Sequence, residues 1–166
     1  MPYYPDGISL TPTNNLLVTC CDSRRLVELC SESGECIRQV EPQSDIVRPW
    51  HAVQLGSGGH YIVSHGDKEG SGVSVVDSDG LVSLSYGSRY RSDVTLLYWP
   101  CHVTVDRDHS VFVADNENRR VVLLSARLEL VRDIQLERWP YRLYLDHVTR
   151  RLYVGHVEGE VHVIQV

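Results

Sequence analysis

Short runs of alternating apolar residues recur along the whole chain and are separated by polar turns. In the clearest stretch, residues 99–125, the apolar runs at 103–105, 111–114 and 121–124 are bounded by turns rich in Asn, Asp and Ser. Apolar side chains at every second position over about four residues are typical of half-buried antiparallel strands. The pattern therefore predicts an all-β chain built from short hairpins.

The same stretch recurs four times, and each copy begins at a Pro or Trp anchor. The anchors are Pro5, Trp50, Pro100 and Pro140, spaced about 40 to 50 residues apart, which is the size of a four-stranded propeller blade. The last copy ends at its third strand, and the segment before the first anchor is too short for a normal strand. We therefore expect a partial ring of three complete blades and a three-stranded fourth, with approximate bounds 5–44, 50–90, 100–137 and 140–166.

The best-preserved copy carries a recognisable motif, Pro–x–x–Val–x–Val–Asp followed by Val–x–Val–Ala–Asp–x–x–Asn–x–Arg–Val. The residues that carry it are Pro100, Val103, Val105, Asp106, Val111, Val113, Ala114, Asp115, Asn118, Arg120 and Val121. This motif resembles the NHL repeat, which builds six-bladed β-propellers. The end of the chain, with Arg142-Leu143 and the run at 151–154, is similar to the last blade of NHL domains in tripartite-motif-like ubiquitin ligases. The resemblance implies a non-catalytic, substrate-selecting module that forms part of a six-bladed ring.

The strand order of a propeller predicts which loops share a face. The loops that precede each first strand and those that join the second and third strands open on the same side of the disc, and together they carry all three Trp residues. The candidate partner-binding residues on this side are Arg48, Trp50, His51, Tyr98, Trp99, His102, Arg119, Arg138, Trp139, Tyr141 and Arg142. Trp, Tyr and Arg dominate protein interfaces, so the predicted function is recognition of a partner protein. Alternatively, Trp99 and Trp139 fill the wedge between adjacent blades.

Two further features have structural interpretations. In the pair Arg119-Arg120, one arginine is expected to form an ion pair with Asp115 or a neighbouring carboxylate and so to tie the turn together. The loops on the opposite side of the disc, including 106–110 and 146–150, contain ordinary turn residues.

Two rival functions follow from the same residues. Aromatic and Arg side chains also stack on single-stranded RNA, and the resemblance implies RNA binding because some NHL domains bind RNA, although a net charge of −6 argues against it. A metal-dependent propeller lyase or hydrolase would use the column formed by Cys20, His65, Asp115 and His156. That column has the spacing of the fold repeat and lacks a metal-ligand motif, so we expect no enzyme activity, no cofactor and no metal.

Five cysteines, no signal peptide and no long apolar run predict a reduced cytoplasmic protein that does not enter a membrane. Cys30 and Cys36 flank a hairpin turn, so the sequence is compatible with two free thiols or with a disulfide between them. Exposed blade edges favour pairing with another chain, so self-association that completes the ring is an alternative to binding a different partner.

Overall fold

The computed structural model describes residues 5–67, 70–87 and 96–166, and its regular structure is antiparallel β-sheet throughout these ranges. In chain order the strands are β1 (Gly7–Leu10), β2 (Leu16–Cys20), β3 (Arg25–Leu29), β4 (Cys36–Val40), β5 (Pro49–Leu55), β6 (His60–His65), β7 (Gly72–Val76), β8 (Val82–Tyr86), β9 (Pro100–Val105), β10 (Val111–Asp115), β11 (Arg120–Leu124), β12 (Leu130–Gln135), β13 (Pro140–Asp146), β14 (Arg151–His156) and β15 (Val161–Gln165). The described ranges hold no helix with the length and apolar character that crossing a bilayer requires.

Each group of consecutive strands forms one blade of a β-propeller. The sheets follow the chain, as β1–β4, β5–β8, β9–β12 and the three-stranded β13–β15, and we call them blades 1 to 4. The first strands of successive blades contact one another, so they lie innermost. The predicted all-β propeller with three four-stranded blades and a three-stranded fourth is confirmed.

Successive blades pack face to face because the alternation of each strand gives a sheet two apolar faces. Blade 1 packs on blade 2 around Leu17 and Tyr61, and blade 2 packs on blade 3 around Ile62 and Val113. Blade 3 packs on blade 4 through a cluster that includes Phe112, Ala114, Leu143, Leu152 and Val154. Within residues 5–67, 70–87 and 96–166, the core clusters join blades 1 to 2, 2 to 3 and 3 to 4, and none joins blade 4 to blade 1. The apolar clusters therefore hold the described blades together in chain order, each blade on the next.

Gly80 sits where the turn between β7 and β8 meets the connection from blade 1. Its φ is +83°, and a Cβ placed there would clash with the backbone carbonyl oxygen of Glu41. We expect Gly80→Ala to lower the free energy of unfolding by about 2–3 kcal/mol, since both the backbone strain and the clash must be relieved. Gly34→Ala is the matched control, because Gly34 has φ +72° but open space around it, and about 1 kcal/mol is expected there. Equal losses in urea denaturation would contradict this account of Gly80.

Candidate functional site

The loops before the first strands meet the loops between the second and third strands on one side of the propeller. The backbone N–H of Asn116 donates to the carbonyl of Trp99 (3.2 Å), and that of Val157 donates to the carbonyl of Trp139 (3.2 Å). The side chain of Asn116 also reaches the next blade, where its Nδ2 donates to the carbonyl of Pro140 (2.8 Å). The predicted arrangement of loops is thus present, and we call this side, with its three Trp residues, the aromatic face.

A β-bulge recurs at the start of three inner strands and reorients the residue after each proline. In each case the first strand of the blade has one residue more than the second strand that pairs with it. The extra residue lies between Pro49 and His51 in blade 2, between Pro100 and His102 in blade 3, and between Pro140 and Arg142 in blade 4. The residues skipped by the pairing are Trp50, Cys101 and Tyr141. Bulges often aim a side chain out of the regular alternation beside functional sites.

The three skipped residues line one small central cavity on the aromatic face. The cavity measures about 40 Å³, and its lining is completed by Asp6, Trp99 and Arg142. The rings of Trp50 and Trp99 lie 5.7 Å apart at a tilt of 56°, and Nε1 of Trp50 donates to the carbonyl of Gly66 (2.6 Å). Both indoles are half-buried and line the cavity, and Trp99 also packs against the apolar cluster between blades 3 and 4. Sequence reasoning missed Cys101 because the bulge leaves no trace in the alternation, and it missed Asp6 because that residue lies in the short segment before β1.

Around the cavity, two arginines lie on exposed aromatic rings. The guanidinium of Arg119 is 5.2 Å from the ring centre of Trp139, and that of Arg142 is 4.1 Å from the ring centre of Tyr141. Trp139 is 40% exposed, Tyr141 39% and Tyr98 42%. Such cation–aromatic pairs hold the rings in place while leaving one surface of each free for contact.

The two remaining arginines of the predicted site are neutralised by carboxylates. Arg48 lies 2.6 Å from Asp67, and Arg138 lies 2.8 Å from Glu160. These pairs are about half exposed, so they contribute little to stability. They do lower the net positive charge of the aromatic face.

The two predicted histidines form an internal stack, which corrects their expected place on the exposed face. His51 is 3% exposed and His102 is half-buried, and their rings lie 3.7 Å apart with an interplanar angle of 19°. Burial lowers the pKa of His51 to about 4, and burial together with the nearby His51 lowers that of His102 to about 2. Both rings are therefore neutral at pH 7. Sequence reasoning placed them on the surface because a histidine beside a loop suits either environment.

Asp115 and Arg120 form the ion pair predicted from the arginine repeat. Nε of Arg120 donates to Oδ2 of Asp115 (2.7 Å), and its Nη1 donates to Asp133 (2.7 Å). Oδ1 of Asp115 accepts the backbone N–H of Tyr98 (2.7 Å), which anchors a loop of the aromatic face. Burial raises the pKa of the Asp115 carboxyl, and its hydrogen bonds act in the opposite direction.

The proposed metal column is present as a structural repeat but does not converge. Cys20, His65, Asp115 and His156 each end the second strand of a different blade. In the part of the chain that the structure describes, no three His, Cys, Asp or Glu side chains are grouped as metal ligands. All five cysteines are free thiols, Cys30 and Cys36 included. Burial raises the pKa of Cys101 to about 12, so its thiol is protonated and serves as a packing group.

Comparison with known proteins supports the fold at low sequence identity. No protein-family model matches the sequence, and no curated protein matches it. Hydrazine synthase from Kuenenia stuttgartiensis superposes with a TM-score of 0.73 at 17% identity, over 97% of this chain and 46% of that one. A protein of unknown function from Bacteroides caccae superposes with a TM-score of 0.59 at 11% identity, over 99% of this chain and 62% of that one. Virginiamycin B lyase from Staphylococcus aureus superposes with a TM-score of 0.62 at 10% identity, over 100% of this chain and 58% of that one.

The fold is that of a β-propeller. The chain spans only part of the length of these three structures, from 46% to 62% of each. Identities of this size establish shared architecture and leave activity to be argued from the site.

Proposed function

We propose that the chain is a recognition module that binds a partner protein through the aromatic face. We further propose that it is a propeller of NHL type that selects substrates for a tripartite-motif-like ubiquitin ligase. The observation that supports binding is the concentration of Trp50, Trp99 and Tyr141 around one cavity, with Arg142 beside them and Trp139 40% exposed in a loop of the same face. Interfaces derive most of their affinity from a few aromatic and Arg side chains of this kind.

The charges of the face favour a protein partner over a nucleic acid. Arg48 and Arg138, two of the four arginines of the predicted site, are paired with carboxylates. Single-stranded RNA needs unneutralised cations along its phosphate backbone, whereas a protein interface tolerates charges that are already paired. A net charge of −6 acts in the same direction.

Trp139→Ala tests the proposed interface. The change is expected to weaken partner binding at least about tenfold, because a 40% exposed ring supported by Arg119 is removed from the aromatic face. Proteins that crosslink to the wild-type chain would be identified, purified and titrated by calorimetry against each variant.

Tyr144→Ala is the matched control for that titration. Tyr144 is 67% exposed and lies on β13, away from the aromatic face, so its loss should leave partner affinity unchanged. A partner that binds Trp139→Ala as tightly as wild type, with both variants folded by circular dichroism, would contradict the proposal.

RNA binding by the same face is the second candidate, supported by the exposed rings beside Arg119 and Arg142. It predicts saturable binding of a single-stranded oligonucleotide, with affinity that falls steeply as salt is raised from about 50 to 200 mM. Fluorescence anisotropy measures this directly. Affinity that is weak and indifferent to Trp139→Ala would remove the candidate.

We propose that the module is non-catalytic, and a metal-dependent enzyme is the alternative. Two of the structural neighbours are named as enzymes, a hydrazine synthase and a virginiamycin B lyase. Metal analysis of protein purified without chelators distinguishes the two proposals. Stoichiometric bound metal would favour the enzyme.

Self-association is a separate proposal that rests on the outer flank of blade 4. Tyr144, Val161 and Val163 are 67%, 62% and 53% exposed there, on the side opposite to the packing against blade 3. A concentration-dependent dimer in light scattering that Val163→Asp abolishes would support it. A monomer at every concentration would contradict it.

A further inference from the structure

A cavity of about 420 Å³ opens between blades 3 and 4, on the side opposite to the aromatic face. The turns at 106–110 and 146–150, which the sequence suggests are ordinary turns, form its rim. Its volume falls within the range of about 300–1,000 Å³ that is usual for small-molecule sites.

The floor of this cavity is apolar. Phe112, Leu123 and Leu145 supply it from the facing sheets of the two blades. In the wedge between blades 1 and 2, the corresponding position is held by Tyr61, which is fully buried. Blade 4 has the smaller Leu152 at that position, so less of the wedge between blades 3 and 4 is filled.

Two of the three aspartates at the rim are already committed to their own turns. Oδ1 of Asp106 accepts two backbone N–H groups at 2.8–2.9 Å. Asp146 accepts a backbone N–H at 2.8 Å and the hydroxyl of Thr149 at 2.7 Å. Asp108 is exposed at the outer edge. Among the residues that the structure describes, none of these three carboxylates forms an ion pair with an arginine of the cavity.

The arginines that line the cavity retain unused donors. In the part of the chain that the structure describes, the side chains of Arg107 and Arg132 have no hydrogen-bond acceptor or ion-pair partner. Arg150 donates only its Nε, to the carbonyl of Val166 at 3.2 Å. Guanidinium groups beside an apolar floor are suited to anions, because their paired N–H donors match carboxylate, sulfonate or phosphate oxygens.

We propose that this cavity binds a small organic anion with an apolar ring. The ring would rest on Phe112, Leu123 and Leu145, while the anionic group would accept hydrogen bonds from Arg107 and Arg132. The site lies on the opposite side of the disc from the aromatic face, so it holds or fails independently of the proposed partner binding.

The test uses 2-naphthalenesulfonate as the probe, titrated into the full chain and followed by amide chemical shifts and calorimetry. Saturable one-to-one binding is expected, with shift changes confined to the residues around the cavity. The neutral 2-naphthalenesulfonamide and inorganic sulfate should each bind at least about tenfold more weakly, since each lacks one half of the recognised chemistry.

Arg132→Gln should weaken the sulfonate about tenfold and leave the sulfonamide unchanged. Arg127→Gln is the matched control, because Arg127 is an exposed arginine in the neighbouring β11–β12 turn that does not line the cavity. The proposal is overturned if the sulfonate fails to saturate, or if it binds Arg132→Gln as tightly as Arg127→Gln. Equal affinity for sulfonate and sulfonamide, or shift changes on the aromatic face, would overturn it as well.

Discussion

Asp115→Ala is expected to lower the free energy of unfolding by about 3–5 kcal/mol. Asp115 is fully buried, and the side chain of Arg120 beside it is 5% exposed. Removing the carboxylate leaves a buried guanidinium with only Asp133 as its charged partner, and it deprives the N–H of Tyr98 of its acceptor. Breaking one half of a buried ion pair is costly for this reason. Urea denaturation at pH 7 measures the loss.

Two further variants separate the buried pair from an ordinary loss of charge. Glu160→Ala removes an ion pair whose partners are 43% and 58% exposed, and it should cost no more than about 1 kcal/mol. The double change of Asp115→Leu and Arg120→Met should recover part of the loss, because the buried guanidinium is removed together with its partner, while Asp133 loses its ion pair and the N–H of Tyr98 still lacks an acceptor. If Asp115→Ala cost no more than Glu160→Ala, the network would not be the anchor described.

The same network connects stability with the proposed interface. Asp115 holds the backbone of Tyr98, and Arg120 donates to the carbonyl of Leu96 at 3.2 Å. Both contacts lie in the loop that leads to Trp99, one wall of the central cavity. Asp115→Ala should therefore weaken partner binding in addition to destabilising blade 3.

Much of the fold follows from local rules that the sequence displays openly. Val111, Val113 and Val122 alternate with residues that point to the other face of the sheet, and this alternation defines the strands. It also defines their register, since a shift by one residue would move every side chain to the opposite face. The pairing of Asp115 with Arg120 could be inferred because the two occupy fixed places in the repeat. These are interactions within one hairpin.

The parts that were not predicted depend on contacts between blades. The bulges at Trp50, Cys101 and Tyr141 reorient side chains without changing the apolar pattern, so the central cavity has no sequence signature. The stacking of His51 on His102 joins blades 2 and 3, and a single hairpin contains no information about it. The cavity between blades 3 and 4 likewise exists because the side chains of these two blades leave part of the space between them unfilled.

Acidification from pH 7 to 4.5 is expected to lower the free energy of unfolding by about 5 kcal/mol through His51 and His65 alone. Burial lowers the pKa of each to about 4, whereas the ordinary value is 6.5. Between these values the unfolded chain binds more protons than the folded chain, so stability rises with pH and is lost as pH falls from 6.5 towards 4. His102, with its pKa lowered to about 2, acts in the same direction.

The environments of the two histidines explain why they resist protonation and how to separate them. His65 is 1% exposed, and its Nε2 lies 3.0 Å from the hydroxyl of Ser74, whereas His51 also faces the positive charge of Arg142. His65→Gln keeps a group able to hydrogen-bond to Ser74 but cannot titrate, so its stability should fall about 2 kcal/mol less than that of wild type over the same pH range. Urea denaturation at half-unit steps measures both slopes. Parallel slopes for wild type and His65→Gln would mean that His65 accepts protons equally in the folded and unfolded chain, and that burial does not keep its ring neutral.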